Sequence, residues 1–88
     1  MNYSVTWDEA AFERMALIVN NHPDHKDFLA TALQALSTAL RTEPGISGES
    51  RAGNDRIIFF RPLVVIFRVW HADRRVQILD VHLSTLLL

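Results

Sequence analysis

The chain has 88 residues, of which 49% are hydrophobic and 22% are charged, and its formal net charge is −1. This length and composition predict one folded domain over residues 1–88 and exclude a disordered chain. The chain contains no cysteine, which excludes disulfides and thiolate zinc sites. It also has no signal-like start and no apolar run long enough to span a bilayer, so a cytoplasmic location is expected.

A short strand is predicted at Tyr3–Trp7, where aromatic and β-branched residues alternate with smaller ones. A helix should follow, with Asp8 as its N-cap and apolar residues at helical spacing from Phe12 through Met15 and Ala16 to Val19. Pro23 disfavours the helical conformation of the residue before it, and this predicts the end of the helix.

A second helix is predicted to begin at Asp24 as its N-cap and to pair with the first in an antiparallel hairpin. Its expected buried stripe consists of Phe28, Leu29, Ala32, Leu33, Leu36 and Leu40. The long segment Thr42–Asp55 contains all three glycines of the chain, and loops of this length tend to be functional or mobile.

Three further strands are predicted at Arg56–Arg61, Leu63–His71 and Arg75–His82, because these runs are rich in β-branched and aromatic residues. Short links between them indicate an antiparallel meander. The predicted fold class is α+β in the order β-α-α-β-β-β, with the helical hairpin packed on one face of a small, mostly antiparallel sheet.

The alternation of the middle strand predicts which residues share a face of the sheet. Leu63, Val65, Phe67 and Val69 are expected under the helices, which leaves Arg68 on the opposite face. A three-residue turn at Ala72–Arg74 would place Arg68 opposite Ile78, with Asp80 and His82 on the same face and Leu79 and Val81 inside. A two-residue turn would instead bury the Asp80 carboxylate, which is costly. The sequence therefore favours the first register and a cross-strand pair between Arg68 and Asp80.

The charge is distributed unevenly along the chain. Residues 1–44 have a net charge of −3, whereas residues 45–88 have +2, and all six basic residues of the second half are arginines. Arginine suits planar, bidentate contacts to phosphate or carboxylate groups. This distribution is a hint that a partner carries negative charge.

The order of elements resembles the RelE/ParE toxin superfamily, which includes plasmid-stabilisation proteins. The resemblance covers residues 3–83 and rests on Gly48–Arg51, Arg56–Phe60, Pro62–Val69 and Arg75–Val81, behind the opening strand and helical hairpin. It implies that the chain is the small toxin of a bacterial type II toxin–antitoxin pair.

Two kinds of activity follow from this resemblance. RelE-like members cut messenger RNA in the ribosomal decoding site with a basic sheet face and no metal, whereas ParE-like members inhibit DNA gyrase by binding it. Both kinds are neutralised by an antitoxin that wraps the domain. The implied partners are therefore an antitoxin and either ribosome-bound messenger RNA or DNA gyrase.

The candidate catalytic residues are Arg51, Arg56, Arg68 and His82. Arg51 and Arg56 flank the loop-to-strand junction where RelE-like toxins carry basic residues, and they could equally be solvated surface arginines. Arg68 could meet a phosphate, unless Asp80 already offsets its charge. His82 could act as an acid or base, although a lone histidine at a strand end is more often a surface residue.

The end of the last strand departs from the RelE-like pattern. Those toxins carry an arginine in a short basic segment after this strand, and often a tyrosine or histidine, whereas here the residues are His82–Thr85. The only tyrosine, Tyr3, is at the other end of the chain. The sequence therefore favours a toxin-like protein that acts by binding or is catalytically degenerate. The alternatives are a ribosome-dependent messenger-RNA endoribonuclease and a non-toxic interaction domain or homodimer, formed through a sheet edge or through Leu86–Leu88.

No metal or cofactor is predicted. His22 and His25, with aspartates beside them, could hold a metal, but a connector and helix start explain that segment. Gly45–Gly48 lacks the lysine of a phosphate-binding loop. Trp70 could stack on a nucleic-acid base, although an aromatic residue in a sheet more often serves packing.

Overall fold

The computed structural model of the chain describes residues 2–42, 44, 49–50 and 53–84, with only the backbone of Glu49 and Ser50. In chain order, the elements are β1 (Ser4–Trp7), α1 (Glu9–Asn21), a 3₁₀ turn (Pro23–His25), α2 (Lys26–Thr42), β2 (Glu49–Ser50), β3 (Asp55–Phe60), β4 (Leu63–Trp70) and β5 (Arg75–Leu83). The predicted α+β class is confirmed, and β2 is an additional short strand. None of the helices in these ranges is long and apolar enough to cross a membrane.

The four main strands and the two-residue β2 form one mixed sheet in the order β1-β5-β4-β3-β2. β1 pairs with β5 in parallel, while the other neighbours are antiparallel and form the predicted meander. The first strand thus lies beside the last strand. The helical hairpin packs against these two strands, with α1 on β5 and α2 on β1.

The two helices begin differently. α1 follows Asp8, whose backbone is extended and whose carbonyl accepts the Phe12 N–H at 2.9 Å, as an N-cap residue should. The prediction of Asp24 as the cap of the second helix is wrong, because Asp24 lies inside the 3₁₀ turn that His22 precedes. The fixed φ of Pro23 suits the first position of a helical turn, so the turn begins one residue before Asp24.

The core lies between the helices and the sheet, and its members are almost fully buried. They are Ala11, Met15, Leu29, Ala32, Leu36, Leu40, Leu63, Val65, Phe67, Val69, Val76, Ile78 and Val81. The predicted face of β4 is confirmed.

The predicted helix stripes were too wide. Phe12 is 60% exposed and Phe28 is 50% exposed, and Ala16 is also exposed. Periodicity identifies the side of a helix that faces the sheet, but the width of the buried stripe depends on how closely the next helix packs. On α1 only Ala11 and Met15 are buried.

The turn between β4 and β5 differs from the prediction. It has four residues, His71–Arg74, with Arg74 in the left-handed region at φ 48°. Arg68 consequently lies opposite Gln77 and not opposite Ile78, which is fully buried.

A bulge in β5 restores the faces that the longer turn would otherwise reverse. After Ile78, the next β4 residue pairs with Asp80, so Leu79 is an extra residue on β5. An unbroken ladder would place Asp80 opposite Val65, which is fully buried. With the bulge, Val81 lies opposite Val65 and Asp80 faces away from the core. This arrangement avoids the cost of burying the carboxylate.

Candidate functional site

The sheet face opposite the helices is called the open face here. Strand alternation and register place on it Asp55, Ile57, Phe59, Val64, Ile66, Arg68, Trp70, Arg75, Gln77, Asp80 and His82. Its apolar members sit next to one another on β3 and β4, and Phe59 is 71% exposed. Among the described side chains of this face, the charged members are two arginines and two aspartates besides the histidine, so their formal charges balance.

Arg68 is tied to Asp55 on the neighbouring strand. Its Nε donates to Asp55 Oδ1 at 2.6 Å and its second guanidinium nitrogen donates to Oδ2 at 3.2 Å, a bidentate pair between directly opposed residues. Hydrogen bonds from Arg68 hold the pKa of Asp55 below its usual value, against the opposing effect of burial. The predicted Arg68–Asp80 pair is wrong, because Arg68 is held by Asp55, whereas Asp80 contacts Arg14 and His82.

Asp80 instead joins three groups around the outer edge of β5. Its Oδ1 accepts the Val81 N–H at 2.9 Å and lies 3.1 Å from Arg14 Nε, and its Oδ2 lies 2.9 Å from His82 Nε2. Arg14 on α1 can reach this position because the pairing of β1 with β5 ends at Ile78. Asp80 and His82 therefore share a face, as expected, and the carboxylate orients the imidazole.

The three predicted catalytic residues that the structure describes, Arg56, Arg68 and His82, do not converge. Arg56 lies opposite the buried Phe67, so its position faces the helix side of the sheet, away from Arg68. His82 lies opposite Val64, four residues along β4 from Arg68, a separation of about 13 Å. Arg51 falls outside the described residues. A catalytic role of any of these residues stays a prediction.

Trp70 and Arg75 form a feature of the open face that sequence reasoning missed. The Arg75 Cζ atom lies 5.1 Å from the centre of the indole ring, and the Arg68 Cζ atom lies 5.9 Å from it. The Trp70 Nε1–H is buried without a hydrogen-bond partner among the described residues. The four-residue turn between β4 and β5 sets Arg75 opposite Trp70. A correct prediction of the turn length would therefore have identified this pair.

A concave surface on the helix side of the sheet, called the interhelical groove here, lies between α1, α2 and β1. Its volume is about 650 Å³, and its apolar lining includes Val5, Trp7, Phe12, Met15, Val19 and Leu33. Gln34, Ser37 and Arg41 complete its α2 wall. The sequence predicted apolar stripes on both helices, and such stripes do not show whether the helices leave a groove between them.

The structure places the candidate metal ligands His22 and His25 edge to face, with ring centres 6.4 Å apart. Within the described ranges, no group of three or more histidine or acidic side chains is arranged to hold a metal ion.

Neither a protein-family model nor a curated protein matches the sequence. Among solved structures, a chain of the toxin–antitoxin complex RelBE2 from Mycobacterium tuberculosis is similar, with a TM-score of 0.76 and 17% identity, covering 96% of this chain and 93% of that chain. A chain of the chromosomal ParDE toxin–antitoxin system from P. aeruginosa has a TM-score of 0.68 and 19% identity, covering 93% of this chain and 96% of that chain. The protein therefore shares the fold of these two chains.

Proposed function

We propose that this protein is the toxin-like component of a bacterial type II toxin–antitoxin module, located in the cytoplasm and held by an antitoxin. We further propose that it acts by binding a target and does not cut RNA. The fold supports the first part, since both similar structures come from toxin–antitoxin systems. The charges of the open face support the second.

The observation that carries the binding mechanism is the bidentate Arg68–Asp55 pair. Metal-independent RNA cleavage requires cations that hold the scissile phosphate, together with an acid and a base beside it. On this face Asp55 offsets the central cation, and His82 lies about 13 Å away along the sheet. Arg56 faces the other side.

The apolar part of the open face favours a protein as the target. Ile57, Phe59, Val64 and Ile66 adjoin one another, and an exposed aromatic residue within an apolar patch is typical of protein interfaces. Between the two targets that the resemblance implies, DNA gyrase fits this face better than ribosome-bound messenger RNA, whose phosphates would require an excess of positive charge.

Inducible expression in a bacterial host tests the proposal. Expression of the chain alone should arrest growth, and Phe59→Asp should abolish the arrest because it places a charge in the apolar patch. Phe28→Asp is the matched control, because Phe28 is also exposed but lies on α2. Harmless expression of the folded chain, or equal loss of toxicity in both variants, would contradict the proposal.

Biochemical assays separate the mechanisms. The purified protein should inhibit supercoiling by DNA gyrase and should leave messenger RNA on stalled ribosomes intact. Transcript cleavage that is lost in His82→Ala would instead establish the endoribonuclease alternative. A neighbouring reading frame whose product co-purifies with the chain and restores growth would identify the antitoxin.

A further inference from the structure

Two polar side chains with unused hydrogen-bonding capacity lie where the open face meets the β4–β5 turn. Arg75 is exposed and stands opposite Trp70, and Gln77 is half-buried in the next row of the same face, opposite Arg68. Among the residues that the structure describes, no carboxylate lies within ion-pair distance of Arg75. The side-chain amide of Gln77 likewise has no hydrogen-bond partner within the described ranges. These donors are therefore available to a ligand.

Trp70 holds the Arg75 side chain in place. The Arg75 Cζ atom lies 5.1 Å from the centre of the indole ring, a cation–π contact. A stacked guanidinium keeps its planar set of N–H donors for other partners, and these donors match the two oxygens of a carboxylate. An arginine that is positioned in advance also loses less conformational entropy when it binds. Arg75 is thus a preorganised receptor for an anion.

The surrounding charges indicate which anion this receptor suits. Asp55 offsets the charge of Arg68 on the open face, and Asp73 and Arg74 are adjacent exposed residues of the turn with opposite charges. The formal charges of these described pairs cancel, and Arg75 supplies the positive charge that remains. Binding of nucleic acid requires several cations that neutralise phosphates, whereas a single carboxylate requires one. The charge balance therefore favours a carboxylate over a polyanion.

The apolar patch of the open face lies next to this receptor. The paired residues Ile57 and Ile66 begin the patch, and Ile66 is four residues along β4 from Trp70, or about 13 Å. Phe59, which is 71% exposed, lies further along the same face. A ligand that covers both regions must present a carboxylate and apolar side chains at this separation. A segment of a protein meets this requirement, whereas a small carboxylate is too short.

We propose that Arg75, held by Trp70 and assisted by the Gln77 amide, binds an aspartate or glutamate of a protein target whose apolar side chains cover Ile66 and Phe59. This inference rests on the proposed function for the choice of a protein as the partner. It deepens that function by naming the residue type that the target presents to the end of the open face.

Peptide binding tests the inference without the target itself. In a Trp7→Phe variant, Trp70 is the only tryptophan of the chain, so its fluorescence reports binding beside Arg75. Two extended peptides share a pair of leucines and carry either aspartate or asparagine four residues before the first leucine. An extended chain advances about 3.3 Å per residue, so this spacing matches the separation on the face. The aspartate peptide should bind about fivefold more tightly, as expected for one exposed charge pair.

Variants locate the receptor. In the same Trp7→Phe background, Arg75→Gln should remove the preference for aspartate and Gln77→Leu should reduce it. Arg74→Gln is the matched control, because Arg74 is the neighbouring exposed arginine but lies in the turn, and it should keep the preference. In the gyrase supercoiling assay, Arg75→Glu should raise the concentration for half-inhibition about tenfold, whereas Arg74→Glu should leave it unchanged.

Three results would overturn the inference. They are equal binding of the two peptides, equal effects of Arg75→Gln and Arg74→Gln, and no change in Trp70 fluorescence with either peptide at millimolar concentration. A single-stranded oligonucleotide that binds more tightly than the aspartate peptide at physiological salt would make nucleic acid the ligand instead. The proposed function fails on a different result, namely wild-type protein that neither arrests growth nor inhibits gyrase, and the peptide preference remains measurable in that case.

Discussion

Deletion of Leu79 should leave the fold intact, because Leu79 is the extra residue of the β5 bulge. Without it, Ile78 and Asp80 become consecutive and keep the β4 partners that they already have. Ile78 and Val81 then remain in the core, and Asp80 remains on the open face. Leu79 is half-buried, and full burial of a leucine contributes about 1.5–3 kcal/mol, so its loss should cost about 1 kcal/mol. At this chain length, that corresponds to a fall of about 4–8 °C in Tm.

Deletion of Val81 is the matched control. It removes a fully buried side chain and shortens β5 beyond the bulge. If the bulge stays, His82 becomes the partner of the buried Val65. If the bulge straightens, Asp80 becomes the partner of Val65. Loss of the valine and burial of a polar group together cost roughly 4 kcal/mol or more. A chain of this size has a total stability of about 4–13 kcal/mol.

Thermal and urea unfolding, followed by circular dichroism, would measure both deletions. The Leu79 deletion should unfold cooperatively, with a thermal midpoint about 4–8 °C below that of the wild type. The Val81 deletion should lose most of its stability or its cooperative transition. Equal losses in the two variants, or a larger loss on deletion of Leu79, would refute the assignment of Leu79 as the bulge residue.

Three other changes test separate parts of the structure. Asp55→Asn should increase binding to an anionic resin, because Arg68 loses the carboxylate that offsets it. Since the folded-state pKa of Asp55 is lowered, its stabilising contribution is present above the unfolded pKa near 4 and is lost as the pH falls through the folded value. Urea midpoints measured above the unfolded pKa and below the folded pKa of Asp55 should show this loss of stability in the wild type. The loss should be smaller in Asp55→Asn. Leu36→Ala removes a fully buried side chain and should cost about 2–5 kcal/mol in urea unfolding. Gly53→Ala should cost about 1 kcal/mol, because Gly53 has φ 62° but no atom near an added Cβ, so only backbone strain opposes alanine.

Local patterns were sufficient to predict the main helices and strands. In β4 the only charged residue, Arg68, marks one face as the open one, and the buried face followed from the apolar residues at the alternate positions. β3 behaves differently, because Ile57–Phe60 is apolar at every position and gives no alternation from which to choose a face. Only cross-strand pairing fixes which side Arg56 occupies, and that information lies outside the strand itself.

The candidate site was less predictable for the same reason. Asp55 was expected in the loop, and its place as the first residue of β3 makes it the partner of Arg68. The turn is one residue longer than expected, but the bulge returns Asp80 to Ile66, the position that the predicted register also gave it. The prediction lacked the two tertiary partners, Asp55 beside Arg68 and Arg14 beside Asp80. The longer turn places Ile78 in the core and not on the open face, where it was expected, because a one-residue shift in a strand reverses which face a side chain occupies.

The parallel pairing of β1 with β5 has a consequence for the time at which the chain can fold. Residues 4–7 are synthesised first, but their hydrogen-bonding partners at residues 75–78 are synthesised about 70 residues later. At about 5–20 residues per second, β1 waits several seconds on the ribosome without its neighbour. The helical hairpin can form early because its contacts are local, whereas β1 and β5 can pair only after residues 75–78 have emerged. A protein partner that recognises the open face therefore meets its binding surface only after β5 has been synthesised.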